Sequence, residues 1–223
     1  NDLVVVNGKL VDPPARTRLW RYHKPVGLVT THRDPQDRPT VFQALPPSLP
    51  RVVSVGRLDL NSEGLLLLTD DGALARRLEL PSNGWLRRYR VRVFGRMDEQ
   101  KLAKIREGCV INGVRYGPFY CNIDAYQTRN TWLLIKMAQG KNREIRRVMQ
   151  KQSLRVNRLK RLSYGPYSLG NMAAGEIRED VLKDEIKRLL YLSSRAKLKS
   201  VEEQKDDSEA ITEKVVQKLE GRL

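Results

Sequence analysis

Ser54-Val55-Gly56-Arg57-Leu58-Asp59-Leu60-Asn61-Ser62-Glu63-Gly64-Leu65-Leu66-Leu67-Leu68-Thr69 is the stretch whose reading decides the fold. Two apolar runs, residues 52–58 and 65–69, read as buried strands, since short unbroken apolar runs suit strands covered on both faces. The polar loop between them starts on a carboxylate, Asp59. Strand ends hold a side chain rigidly and leave it open to a ligand. Asp59 is therefore a candidate nucleophile or general base, provided that a nearby cation favours its charged form. The competing role is a loop carboxylate that caps a turn. Glu63 offers a second carboxylate nearby for glycosidase-type work. Asp70 and Asp71 fit a turn and the N-cap of the next helix.

Outward from this centre the chain reads as many short strands with few helices. On the N-terminal side, residues 3–6 and 9–11 flank Asn7-Gly8, a hairpin signal. Residues 19–23 and 27–31 read as strands, and 41–44 as a short helix in a proline-rich loop. On the C-terminal side, helices are predicted over 73–80, from an Asp98 cap to Glu107, from Gly140-Lys141 to 152, and over 181–192. Strands are predicted over 85–94, 132–137 and 156–162, with a hairpin around Asn112-Gly113 and a turn over 164–167. In the helix after Gly140, the residues Ile145, Val148 and Met149 share one face. The pattern predicts an α+β fold with a mostly antiparallel mixed sheet flanked by helices.

The chain has 223 residues, a mass of 25.7 kDa and a pI near 10.1. Apolar residues make up 40%, enough for a packed core, which excludes disordered and collagen-like chains. The apolar run Leu65–Leu68 is far too short to span a bilayer, and no membrane partner is expected. Cys109 and Cys121 cannot form a secreted disulfide framework, and no secretory leader is recognised. His23 and His32, with no Cys/His cluster, leave little material for a zinc site, and no metal is expected. The net charge of +16 is concentrated: residues 84–165 carry 20 basic and 5 acidic side chains. That field attracts a polyanion, with nucleic acid the leading partner and a membrane surface second, the latter weakened because the segment has no long amphipathic helix with a Trp/Phe/Leu face.

Phosphate-loop, dinucleotide and nucleophile-elbow motifs are absent, so no cofactor is expected. Gly140-Lys141-Asn142-Arg143-Glu144-Ile145-Arg146-Arg147 sets a helix start among four cations, a phosphate-binding signal that a solvated basic face would also give. Helical phase puts Arg147 opposite Ile145, toward solvent or phosphate, and Arg146 at the boundary of the buried face. Tyr89, flanked by Arg88 and Arg90, suits either stacking on a base or a place in the core.

Taken together these motifs resemble the RsuA/RluB-type ribosomal RNA pseudouridine synthases. Gly56-Arg57-Leu58-Asp59 through Gly72 looks like the family's catalytic motif. His23-Lys24-Pro25-Val26-Gly27, Arg88-Tyr89-Arg90-Val91 and Gly140–Arg147 look like three others, in the same order. The resemblance implies that Asp59 is the catalytic aspartate, Tyr89 stacks on the target base, and Arg146 pairs with Asp59 beside Ile145. It implies RNA contacts from Lys24, Arg57, Lys141, Arg143, Ile145 and Arg147. It also implies a remnant of an N-terminal α-L RNA-binding module at 1–17, a catalytic domain at 18–192 and a polar tail at 193–223. The expected activity is uridine isomerisation in ribosomal RNA, with a lean to the large subunit, by a cytoplasmic monomer. The alternative is a noncatalytic RNA-binding protein of ribosome assembly that uses the basic surface alone.

Overall fold

The computed structural model describes residues 5–6, 9–10 and 16–190. The chain divides into two units, residues 1–181 and 182–223. In the second unit, residues 184–190 are helical, inside the helix expected over 181–192. The expected tail, 193–223, lies outside the described residues, as does most of 1–17. Val5–Val6 (β1) and Lys9–Leu10 (β2) pair antiparallel, with Val6 opposite Lys9.

The rest of the first unit is built on one sheet. Its strands are drawn from Leu19–Lys24 (β3), Val53–Ser54 (β4), Glu63–Thr69 (β5) and Arg87–Phe94 (β6). Cys109–Ile111 (β7) and Val114–Tyr116 (β8) form a separate hairpin. Tyr120–Gln127 (β9), Asn130–Met137 (β10), Arg155–Tyr164 (β11), Tyr167–Ser168 (β12) and Ile177–Asp180 (β13) complete the sheet. The order is β13-β3-β5-β11-β6-β10-β9, with β4 beside β5 and β12 beside β11. Neighbours run antiparallel except β5 and β11, which are parallel. Helices Gly72–Glu79 (α1), Glu99–Glu107 (α2) and Glu144–Lys151 (α3) flank it. The fold is α+β with a mixed, mostly antiparallel sheet.

Burial explains the order. All seven residues of β5 are buried, and Leu65 to Leu68 are fully so. A leucine run of this kind stabilises only a strand covered on both faces, at about 1.5–3 kcal/mol per side chain. β5 approaches β11 so closely that a Cβ on Gly64 would lie 2.3 Å from the Arg161 carbonyl oxygen. With φ at +109°, that position also needs glycine's backbone freedom. β6 alternates: Arg87, Tyr89, Val91 and Val93 are buried, while Arg88, Arg90, Arg92 and Phe94 point the other way. Asp71 caps α1 through the amides of Ala73 (2.8 Å) and Leu74 (3.0 Å), and Asp98 caps α2.

Several expected elements differ. The strand expected over 52–58 shrinks to β4, because Gly56 adopts φ +65° and turns the chain away from the sheet. Residues 27–31 form a single bridge, Val29 to Thr40, after Gly27 turns at φ +89°. α3 starts at Glu144 rather than at Gly140, because Arg143 takes the left-handed conformation at φ +51°. β9 and β13 were not anticipated. Both are edge strands, and β13 is polar, held to β3 by the Arg21–Asp180 ion pair at 2.5 Å.

Candidate active site

Asp59 sits in the loop from β4 to β5, and three elements hold that loop. The backbone closes on itself where the Ser62 amide donates to the Asp59 carbonyl at 2.9 Å. Glu79, at the end of α1, accepts the Gly56 amide at 2.6 Å. Lys24 ends β3 beneath the loop and is completely buried. Its ammonium donates to the carbonyls of Pro25 (2.9 Å), Asp59 (3.2 Å) and Ser62 (2.9 Å). An ammonium has three protons, so its donors are all used. The expected RNA contact of Lys24 is corrected accordingly: it fastens the loop from below and does not reach solvent. Burial pushes its pKa down to about 8, against the pull of the Asp59 carboxylate.

Two arginines reach the Asp59 carboxylate from the α3 side. Arg143 Nη1 donates to Oδ2 at 3.3 Å, and Arg146 Nε lies 3.9 Å from the same oxygen. The expected partner, Arg146, is present but is the more distant of the two. Its guanidinium mainly grips the backbone, donating from Nη2 to the Asn61 carbonyl at 2.7 Å and from Nη1 to the Val156 carbonyl at 3.3 Å. Burial, followed by the neighbouring Arg143 charge, lowers the Arg146 pKa, and Asp59 opposes both. Arg143 reaches Asp59 because its left-handed backbone swings it out of the helical phase of α3.

The start of α3 is not an open anion site. The buried Glu144 carboxylate accepts the amides of Lys141 (3.0 Å) and Gly117 (3.3 Å). Lys141 is exposed, and its ammonium donates to the Arg115 carbonyl. Arg147 was expected to face solvent or phosphate. It is half-buried instead, donating to the Tyr116 hydroxyl at 3.0 Å and lying over that ring.

An open cavity of about 650 Å³ runs along this arrangement. Arg57, Asp59, Tyr89, Arg143, Ile145 and Arg146 line it. Arg57 is exposed at the rim, while Tyr89 (8% exposed) and Ile145 form buried wall. The cavity thus brings the expected catalytic trio together with four of the expected RNA contacts, Arg57, Lys141, Arg143 and Ile145. Sequence reasoning missed a cationic floor. Arg87 donates to the Tyr164 hydroxyl at 2.7 Å, and that hydroxyl donates to the Leu78 carbonyl at 2.7 Å. Arg161 donates from Nε to the Leu65 carbonyl at 2.6 Å. Arg161 pairs with Tyr89 across β11 and β6. The signal was parity: Arg87 shares the Tyr89 face of β6, and Arg161 shares the face of buried Leu159.

A carboxylate between two guanidiniums, facing an aromatic wall in an open basic cavity, suits a planar ring attached to a phosphate chain. The profile of the RNA pseudouridylate synthase family matches residues 18–151, and the chain belongs to this family. It is therefore an enzyme of the class that converts uridine to pseudouridine in RNA. It is 46% identical over 176 residues to an uncharacterized RNA pseudouridine synthase of Rickettsia felis, covering 79% of this chain and 76% of that one. It is 42% identical over 156 residues to ribosomal large subunit pseudouridine synthase B of Yersinia pestis. That match covers 68% of this chain and 48% of the relative, so the chain spans about half of that protein. A crystal structure of a pseudouridylate synthase overlays with a TM-score of 0.67 at 26% identity, covering 81% of this chain and 76% of that one. Among the described residues no helix is long and apolar enough to cross a membrane.

Proposed function

We propose that this chain isomerises uridine in ribosomal RNA of the large subunit, with Asp59 as the catalytic carboxylate. The observation that carries this reading is Asp59 itself, fixed by its backbone to Lys24 and by its side chain to Arg143 while facing the cavity. The isomerisation breaks the bond from ribose C1′ to N1 of uracil and makes one from C1′ to C5. N1 gains a proton and C5 loses one, so no redox partner is needed. The base must first leave its stack, which costs a few kcal/mol. Tyr89 receives the extruded ring, and Ile145 closes the cavity beside it. Arg143 and Arg146 stabilise the Asp59 charge while it acts at the ribose or the ring. Arg57 and Lys141 contact flanking phosphates. The large-subunit relatives support the ribosomal target, and a ribosomal substrate supports a cytoplasmic location.

The test uses large-subunit RNA tritiated at uracil C5. Wild-type protein should release tritium, and Asp59→Asn should release none while binding the RNA with unchanged affinity. Substantial release by the Asn variant would remove Asp59 from the chemistry. Mapping of the product would name the uridine.

A further inference from the structure

The sheet that supports the cavity has a second, charged face. Arg87 and Tyr89 of β6 line the cavity, so Arg88, Arg90 and Arg92 project from the reverse side. The register sets Lys136 of β10 directly opposite Arg88. It sets Lys160 of β11 opposite Arg90, and Arg158 opposite Arg92. Three pairs of like charges thus face one another across neighbouring strands. Like charges in directly opposed positions destabilise a sheet, so folding alone disfavours this arrangement. Asp124 pairs with Arg90 at 2.7 Å, and Glu63 pairs with Arg158. Among the described residues no ion pair forms to Arg88, Arg92, Lys136 or Lys160. The Arg92 Nε is shielded from solvent and has no hydrogen-bond partner.

Aromatic rings organise these cations. Trp132 of β10 lies opposite Arg92, with the Arg90 guanidinium 4.4 Å and that of Arg92 5.7 Å from its ring centre. The Lys136 ammonium stands 4.6 Å over Tyr120, which is exposed at the β9 edge. Rings under the guanidiniums hold them extended, which lessens the ordering needed when an anion binds.

We propose that this face is a second RNA-binding surface, taking the phosphate backbone of a substrate segment remote from the target nucleotide. It rests on the reading that the chain acts on RNA. Alternate residues of a strand lie about 6.6–6.8 Å apart, so Arg88, Arg90 and Arg92 present cations at regular steps, as a nucleic-acid strand presents phosphates. Four of the six cations are arginines, whose planar fork matches a phosphodiester in two hydrogen bonds. An acidic protein would present carboxylates without that regular spacing. The face lies across the sheet from the cavity, so a short hairpin seated in the cavity does not reach it. A long folded RNA that wraps the β9 edge does.

The test compares the wild type with a triple variant, Arg88→Gln, Arg92→Gln and Lys160→Gln. Binding is measured against salt for a full-length large-subunit RNA transcript and for a short uridine-containing hairpin. The variant should bind the transcript at least about tenfold more weakly at physiological salt, with a log–log slope shallower by about three. Hairpin affinity should be unchanged. Its melting temperature should not fall, because like-charge pairs have been removed. Should the triple variant fail to fold, Arg88→Gln alone, at an exposed position, should shift the slope by about one. Equal transcript affinity and slope would overturn the proposal, including the case in which the face takes an acidic protein. Because the readout is binding, the proposal stands or falls even if the wild type releases no tritium, an outcome that would count against the ribosomal target alone.

Discussion

Arg143 stands nearer to the Asp59 carboxylate than Arg146 does, 3.3 Å against 3.9 Å from the same oxygen. The two contacts differ in kind. The Arg143 side chain is half exposed, so solvent and salt screen its charge. Arg146 is largely buried and also ties down the Asn61 carbonyl.

Removing Arg146 should therefore harm chemistry more than removing Arg143. Arg146→Ala should slow single-turnover isomerisation at saturating RNA by about 10²-fold or more. Arg143→Ala should cost roughly tenfold, with added salt mimicking part of that loss. Arg146→Lys should rescue little, because one ammonium cannot reproduce the fork that spans Asn61 and Val156. Rates in the reverse order would show that proximity to the carboxylate outweighs anchoring of the loop.

Lys24 gives the site a pH limit. Below about 8 its ammonium fills three carbonyls, and above that value a neutral amine can donate to only two. Activity should fall as pH rises through about 8. Stability should move the other way. The folded pKa is depressed, so between about 8 and the ordinary 10.5 the unfolded chain holds a proton that the folded chain has shed. The contribution of this group to stability therefore rises with pH across that window. Parallel activity and urea-denaturation profiles for the wild type and Lys24→Met check both signs. The Met variant should lose the alkaline limb of each.

Gly64→Ala should be severely destabilising, by about 3 kcal/mol or more. The new Cβ would meet the backbone of Arg161, 2.3 Å from its oxygen and 2.6 Å from its nitrogen, and backbone within a sheet cannot step aside. Chemical denaturation measures the loss. A near-neutral result would mean that β5 and β11 do not approach as described.

Arg147→Ala should cost about 1 kcal/mol of stability through the lost Tyr116 hydrogen bond. Tyr116→Phe should reproduce most of that loss in a melting experiment. An Arg147 variant with unchanged stability would return this residue to a purely RNA-facing role.

The central strands were legible because their patterns are local. Four leucines in a row specify a doubly covered β5, and strict alternation specifies β6. Asp59, Tyr89 and Arg146 were legible as a group because their motifs occur in order, and they do meet in one cavity. Lys24 was misread because a buried lysine and a surface lysine look alike in sequence. Its carbonyl partners at Asp59 and Ser62 lie 35 and 38 residues away. Arg143 was read only as an RNA contact, because a helix opening at Gly140 gives no sign of the left-handed turn that brings it to Asp59. Arg147 was misread for another reason: helical phase says nothing of the Tyr116 ring that β8 brings against it. β13 gave no signal because an edge strand that pairs on one side needs no apolar alternation.

The parallel junction of β5 and β11 also sets the order in which the enzyme comes into being on the ribosome. Arg161 and Leu65, bonded across that junction, are 96 residues apart in the chain. At about 5–20 residues per second, synthesis leaves the carboxylate loop waiting several seconds or more for the strand and cations that complete it. Pairings so distant in sequence form late and slowly. A nascent or truncated chain ending before α3 already carries Asp59 but lacks Arg143, Arg146 and the floor of the cavity. With Asp59 as the proposed catalytic carboxylate, such chains should be unable to isomerise uridine, although the arginines of β6 are already made.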